Sequence, residues 1–438
     1  MSNKKTIIGS GLAGPLLAIL LAKRGYSVDL FEKRADLRLE HVSAGRSINL
    51  ALSHRGIEAL KSASVFEMVE PLLIPMKGRM IHQKNGELDF QPYSMNAEEY
   101  INSVSRSELN KILITAAEDT GKVNIHFSHA LSSIQDNQLE FENSHKVEIE
   151  NEIIGADGSG SVVRKYIDSN CDLPSTSKPL GHAYKELTIA PGKNGNFQID
   201  SNSLHIWPRC EFMLIGLPNT DRSFTCTLFM PNEGDESFES LKTEADIVDF
   251  FSIHFSDVLP FLENFPQSYF ENPTGRLATI YADNWHYKNF CLIGDAAHAV
   301  VPFFGQGMNA SFEDCTVLME CVDSGEDNWI DIFSSYNKMR KPDADAIAQM
   351  AIENYIEMRD SVAQSDYKAK RGIANSLSIE FPDRFIPRYN MVSFTSIPYS
   401  EVYKRGKIQQ EIISQLMGNE LDLQKAENLI TKKLSILS

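Results

Sequence analysis

The most constraining feature of this chain is its beginning, where Gly9-x-Gly11-x-x-Gly14 lies between a short apolar strand, Thr6 to Ile8, and an apolar helix from Pro15 to Arg24. Gly25 stops that helix, a second strand runs from Val28 to Phe31, and Glu32 follows at its end. Residues 4 to 32 therefore read as one βαβ unit. Glycines at this spacing permit a tight turn, close approach of a pyrophosphate and close helix packing, while backbone N–H groups at the helix start meet the phosphate charge. Glu32 stands where an acidic side chain accepts from adenosine ribose hydroxyls. That arrangement predicts FAD or NAD, and disfavours a 2′-phosphate. Pro15 is tolerable because a first helical turn has N–H groups to spare.

A local anion site matters because the chain as a whole is acidic. Lys and Arg number 42 against 59 Asp and Glu, a net charge of −17, which argues against nucleic-acid or anionic-membrane partners. At 438 residues with 42% hydrophobic content the chain is long enough for more than one domain and excludes disorder. The six cysteines include no C-x-x-C pair, so neither a disulfide framework nor a metal site is indicated. No apolar stretch reaches the roughly 18 residues of a membrane span, and a cytoplasmic location is expected.

Further along, Met80 to Tyr93 reads as a hairpin with a tight turn at Asn85-Gly86. Leu204 to Pro231 is strand-rich and reads as a separate antiparallel sheet, and from Asn309 onward helices dominate. The expected architecture is α/β: a Rossmann-type FAD-binding domain with an interleaved antiparallel-sheet substrate domain and a helical C-terminal region. Its segments are FAD-binding at 1–70, 101–175 and 276–330, substrate domain at 71–100 and 176–275, and a helical region at 331–438.

Two more strings decide the cofactor. Gly294-Asp295-Ala-Ala-His298 follows an apolar strand, and Pro302-Phe-Phe-Gly305-Gln306-Gly307-Met308-Asn309 opens a helix. Gly155-Ala156-Asp157-Gly158 is followed by Ser161 and Arg164. With the glycine motif these resemble the three motifs of the para-hydroxybenzoate-hydroxylase-like flavoprotein monooxygenases, in the same order. The resemblance implies that Asp295 binds the ribityl chain and that the helix after Gly307 faces the flavin. No second strand-linked G-x-G-x-x-G occurs, consistent with an NADPH that visits and leaves.

A closer resemblance covers roughly residues 4 to 405. The strings GRSINLALSHRG (45 to 56), GRMIH (78 to 82), SVSRSELN (103 to 110), SLHIWPRCEFMLIGLPN (203 to 219), FTCTLFMP (224 to 231), GDAAHAVVPFFGQGMNASFEDC (294 to 315) and NYIEMRD (354 to 360) are similar to the kynurenine 3-monooxygenase family. This implies tightly bound FAD, reduction by NADPH, a flavin C4a-hydroperoxide from O2, and hydroxylation of L-kynurenine to 3-hydroxy-L-kynurenine. The step belongs to tryptophan degradation by the kynurenine pathway, towards quinolinate and NAD. Eukaryotic members carry a hydrophobic C-terminal anchor that this sequence does not show.

By matching positions, the resemblance implies substrate binding by Arg79, Tyr93, Asn354 and Tyr389. For FAD it implies Gly9, Gly11, Ala13, Gly14, Phe31, Glu32, Lys33, Arg34, Ala51, Arg106, Leu131, Asp157, Asp295, Gly307, Met308 and Asn309. No protein acid or base is implied, since the flavin carries the chemistry, and His298 reads as structural. Taken alone, Arg79 is more ordinarily a surface arginine and Tyr389 a core aromatic. Asn354 lies on the apolar stripe Ile347, Met350, Ala351, Tyr355, Met358, so its amide must bond either core backbone or a ligand. Simple hairpin counting sets Arg79 opposite Pro92 and leaves Tyr93 on the other face, so the two meet only if Pro92 breaks the register or a bend brings them together. Arg388 stands where an apolar residue is expected. The open alternatives are a flavin hydroxylase for another aromatic acid, and a GDI-like Rossmann protein without enzymatic activity.

Overall fold

The computed structural model describes residues 3–39, 49–325, 328–361, 365–418 and 421–437. Residues 45–48 of the GRSINLALSHRG string lie outside them. The chain divides into two compact units. The first comprises residues 1–74, 102–180 and 276–348, and the second 75–101, 181–275 and 349–438. The helical stretch expected as a separate body is thus divided at residue 348 between the two.

The first unit is built on a six-stranded sheet. In spatial order its strands are His286–Tyr287, Phe290–Leu292, Ile153–Gly155, Lys4–Ile8, Ser27–Phe31 and Val123–His126. The five strands from Phe290–Leu292 to Val123–His126 are mutually parallel, and only the short His286–Tyr287 edge strand is antiparallel. Parallel strands covered on both faces need continuous apolar runs, and Ile7, Ile8, Leu30, Ile153, Ile154, Cys291 and Leu292 are all buried. Helix Ala13–Lys23 is apolar all round because residues 14 to 22 are all buried. It ends in a Schellman arrangement: the Gly25 N–H reaches the Ala22 carbonyl (3.0 Å), Tyr26 N–H reaches Leu21 (3.2 Å), and Gly25 takes φ +92°.

The second unit carries a larger sheet in which Thr176–Ile189, Phe224–Pro231, Phe212–Pro218, Ser203–Arg209, Gly78–His82 and Leu88–Pro92 are successive neighbours. The sheet is mixed, because Ser203–Arg209 pairs parallel with Gly78–His82 while the other neighbouring pairs that bear on the site are antiparallel. One sheet face and helix Glu244–His254 bury Trp207, Phe212, Leu228, Phe251 and Phe255. The helices Ser365–Glu380, Tyr399–Leu416 and Leu423–Lys433 share a small core of Leu377, Ile412, Leu416, Ala426 and Ile430. The last helix is therefore packed along one side. Among the described residues no helix is long and apolar enough to cross a membrane.

Candidate functional site

All three motifs of the first unit leave the sheet at the carboxyl ends of adjacent parallel strands. Strand Lys4–Ile8 feeds Gly9, its neighbour Ile153–Gly155 feeds Ala156 and Asp157, and the next, Phe290–Leu292, feeds Gly294 and Asp295. Ligands of open α/β sheets bind outside those carboxyl ends. The packing there leaves no room for side chains. Gly9 takes φ +106°, and a Cβ on it would lie 2.3 Å from the Ala156 carbonyl oxygen. A Cβ on Gly14 would lie 2.0 Å from the Gly9 carbonyl oxygen.

Glu32, at the end of strand Ser27–Phe31, is buried and ties this cradle together. It accepts from Ser10 N at 2.7 Å, Arg34 N at 3.0 Å and Arg34 Nε at 2.7 Å. Burial alone would raise its pKa, but the bonds from Arg34 and Ser10 outweigh that and hold the carboxyl below its usual range. Three bonds leave one of about four lone-pair positions open. Asn110 anchors the loop from below through the Ser10 (3.2 Å) and Gly11 (2.8 Å) carbonyls. Asp157 accepts from Ser161 Oγ (2.5 Å) and Val162 N (2.7 Å), and burial lifts its carboxyl above the ordinary value.

Other expected cofactor residues fall into two groups. Ala13 opens the first helix, Phe31 is buried at a strand end, Leu131 begins strand Leu131–Gln135, and Met308 is buried where Gly307 starts helix Gly307–Asp323. Lys33, Arg34, Arg106 and Asp295 are exposed. Asn309 is held by its side chain. Its Oδ1 accepts from Ser53 N (2.9 Å), and its Nδ2 donates to the Ala51 and Gly305 carbonyls (both 2.8 Å). The buried amide clips strand Asn49–Leu52 and the Ser53 that follows it onto the helix start, which leaves the Asn309 backbone for any ligand.

Behind the Gly294 turn lies a charged network that sequence reading missed. Asp314 is fully buried and accepts from Gly294 N (2.9 Å), His298 Nε2 (2.5 Å) and Arg340 Nε (2.8 Å). Arg340 also meets Glu313 (2.8 Å), which pairs in turn with Arg55. His298 stacks on Trp285 at 5.0 Å, a structural placement.

The residues fit an adenine dinucleotide. The first helix has no side-chain cap on its opening N–H groups, Gly9 and Gly14 admit no side chain while the space beside Gly11 is open, and Ser10 Oγ is buried without a hydrogen-bond partner among the described residues.

In the second unit the hairpin corrects the sequence expectation. Its loop has three residues, Lys84 to Gly86, closed by Gln83 N to the Glu87 carbonyl (2.9 Å), and only Gly86 has positive φ. Arg79 therefore pairs with Gln91, and Gly78 with Pro92. A one-residue change of register exchanges sheet faces, so Tyr93 joins Arg79 on one face. The Arg79 guanidinium lies 5.8 Å from the Tyr93 ring and 4.9 Å from that of Tyr389, and these two rings stack at 5.0 Å with a 10° tilt. Asn354 is buried nearby in sequence to a π-helical turn, Glu357–Ser361, and its Nδ2 donates to Met358 Sδ at 3.2 Å, a weak acceptor.

Arg79 is 6% exposed, and Glu357, at 3.9 Å, is the only carboxylate within 4 Å of it among the described residues. Its Nε has no partner there. Burial opposes its charge, but the groups around it, Glu357 among them, hold its pKa above the ordinary value. Burial pushes the Tyr93 and Tyr389 hydroxyls up and that of Tyr367 to about 12, so all three stay neutral. Tyr367 donates to Glu357 at 3.0 Å, and Arg371 reaches Gln91 Oε1 at 2.6 Å. Neither was anticipated, and no periodic signal marks them. The arrangement is a buried cation lined by tyrosine rings, with the charges of Glu357 and Arg371 beside it, suited to a small carboxylate.

A Rossmann cradle and a separate buried arginine cluster define a flavoprotein acting on an organic acid, and the comparisons agree. Residues 4–351 match the FAD binding domain family, so the chain is a flavoprotein of that family. It is 42% identical to kynurenine 3-monooxygenase of Myxococcus xanthus, covering 98% of this chain and 95% of that one. It is 44% identical to that of Cytophaga hutchinsonii (95% and 94%) and 41% to that of Dictyostelium discoideum (98% of each). The chain belongs to the kynurenine 3-monooxygenase family. Among experimental structures, P. aeruginosa PqsL in complex with 2-aminobenzoylacetate superposes with TM-score 0.67 at 19% identity, covering 82% of this chain and 96% of that one. For 2-methyl-3-hydroxypyridine-5-carboxylic acid oxygenase the TM-score is 0.66 at 19% identity (85% and 92%). These two share the fold.

Proposed function

We infer that this chain is an FAD-dependent monooxygenase that hydroxylates L-kynurenine to 3-hydroxy-L-kynurenine with NADPH and O2, a step of tryptophan degradation. Beside its relatives, one observation carries the substrate reading: Arg79 is a buried cation whose nearest acidic partner, at 3.9 Å, is beyond hydrogen-bond distance. Arg79 holds the substrate carboxylate, Tyr93 and Tyr389 wall it, and the Asn354 amide exchanges its sulfur acceptor for a substrate atom. The cofactor is held by the Gly9, Gly11, Ala13 and Gly14 turn at the pyrophosphate, and by Glu32 with Phe31, Lys33 and Arg34 at the adenosine ribose. Ala51, Arg106, Leu131, Asp157, Asp295, Gly307, Met308 and Asn309 complete its site. FAD reduced by NADPH supplies the oxygen-activating chemistry. The protein positions the aromatic amine and excludes water. All six cysteines are free thiols, which supports a cytoplasmic location.

The test is NADPH oxidation with and without L-kynurenine, the product identified by mass. Stimulated oxidation with a product one oxygen heavier is expected, and Arg79→Ala should abolish it at ordinary substrate concentration. Oxidation that yields only peroxide would make kynurenine an effector and overturn the reading.

A further inference from the structure

Arg388 stands where an apolar residue is expected, and its surroundings explain it. It opens helix Arg388–Phe394, where a positive side chain opposes the helix dipole and needs another reason to be present. Its Nη1 lies 2.6 Å from Glu353 Oε2, and its Nη2 lies 3.9 Å from Glu357 Oε2. The aliphatic stem packs over Gly406, where a Cβ would come within 2.6 Å of Arg388 Cδ. Glu353 also receives Lys407 Nζ at 2.8 Å. Glu357 stands between two guanidinium groups, 3.9 Å from Arg79 and 3.9 Å from Arg388.

The charges balance in a particular way. Arg388 and Lys407 engage Glu353, while Glu357 is divided between Arg388 and Arg79, so that its charge is not committed to Arg79 alone. Without Arg388, Glu357 would serve as the counter-ion of Arg79, and an entering carboxylate would meet a like charge in a buried setting.

We propose that Arg388 is a positioning residue for carboxylate recognition: it engages Glu353 and Glu357 so that Arg79 remains available to the substrate, and it fixes the helix start that carries Tyr389. The proposal rests on the reading that Arg79 binds the substrate carboxylate. It gives the chain a specificity element built from residues 353, 357 and 388, none of which touches the substrate carboxylate.

The experiment is steady-state kinetics of holoenzyme variants. Arg388→Gln should raise KM for L-kynurenine about tenfold with kcat little changed, and Arg388→Lys should recover most of that loss. Adding Glu357→Gln to Arg388→Gln should lower KM again, because the competing charge is gone. A purely structural loss would not be repaired that way. Binding of a kynurenine analogue lacking the carboxylate, followed by flavin fluorescence, should be the same in Arg388→Gln and wild type. An unchanged kynurenine KM in Arg388→Gln, or no recovery in the double variant, would overturn the proposal. If Arg79→Met also leaves KM unchanged, the carboxylate reading itself has failed; if Arg79→Met raises KM and Arg388→Gln does not, only the role of Arg388 has.

Discussion

Asp314 offers the most quantitative test of how the first unit holds its cofactor turn. Its carboxylate is 0% exposed and accepts from three groups, of which Arg340 and His298 carry or can carry positive charge. Burial works to raise its pKa, but His298 and Arg340 pull it from 3.8 down to about 2. A shift of that size is worth roughly 2 kcal/mol of stability at neutral pH. Asparagine at this position preserves shape but removes the charge and turns a donor towards either Arg340 or Gly294 N. Breaking one partner of a buried pair costs about 3–5 kcal/mol. Arg340 keeps Glu313 and Asp343 at 2.8 and 3.3 Å, so the expected loss for Asp314→Asn is at the lower end, about 3 kcal/mol. Urea unfolding of the FAD-free protein measures it. The sign with pH is fixed: a carboxyl with a depressed folded-state pKa contributes above its unfolded value and loses that contribution as pH falls towards 2. The gap between wild type and Asp314→Asn should therefore be full at pH 7 and narrow below about pH 4. A gap under about 0.5 kcal/mol at pH 7, or one that acid does not narrow, would refute the account.

Three further outcomes are expected. Gly14→Ala, whose Cβ would meet the Gly9 carbonyl oxygen at 2.0 Å, should purify folded but with little flavin absorbance per chain. His205 donates through Nε2 to the Asp200 carbonyl and faces His82 at 2.8 Å, and burial holds its pKa down at about 4; its contribution, up to roughly 3 kcal/mol, should be lost as pH falls from 6.5 through 4, and His205→Gln should flatten that part of a urea-unfolding profile. Asn354→Ala should raise KM for L-kynurenine several-fold in steady-state assays, because it removes the amide proposed to face the substrate.

How much of this was readable beforehand divides by sequence distance. The βαβ unit and its glycine motif are local, written in a strand, a turn and a helix start, so spacing located them, whereas the Gly155 and Gly294 strings were placed by their resemblance to flavoprotein motifs. The hairpin was legible as a hairpin and wrong in register, because Asn85-Gly86 suits a two-residue turn while the chain uses a three-residue loop with Gly86 alone at φ +86°. That single residue decides whether Arg79 and Tyr93 meet. Asp314 with Arg340 and Arg79 with Glu357 were invisible for a different reason: 26 and 278 residues separate the partners, and no periodicity marks a charge as buried. That the Asn309 amide is consumed by Ser53, Ala51 and Gly305 only packing reveals.

The buried arginines show why an acidic chain needs no basic surface to bind an organic acid. Arg340 has three acidic partners within 3.3 Å, and buried Arg164 donates to the Ala296 and Ser159 carbonyls at 2.7 and 2.5 Å. Among the described residues Arg79 has one acidic neighbour, at 3.9 Å, and an unpartnered Nε. A charge desolvated without good pairing destabilises a fold, and its replacement by an apolar side chain of similar volume is often neutral or stabilising. Arg79→Met should therefore leave the substrate-free protein as stable as wild type or up to about 2 kcal/mol more so, while abolishing kynurenine binding. Arg340→Met should do the reverse to stability, costing about 3–5 kcal/mol, because it strands Asp314 and Glu313. Urea unfolding of both variants without substrate separates the cases. Equal destabilisation by the two would mean that Arg79 is a structural cation like Arg340, and that its poor pairing is not reserved for a ligand.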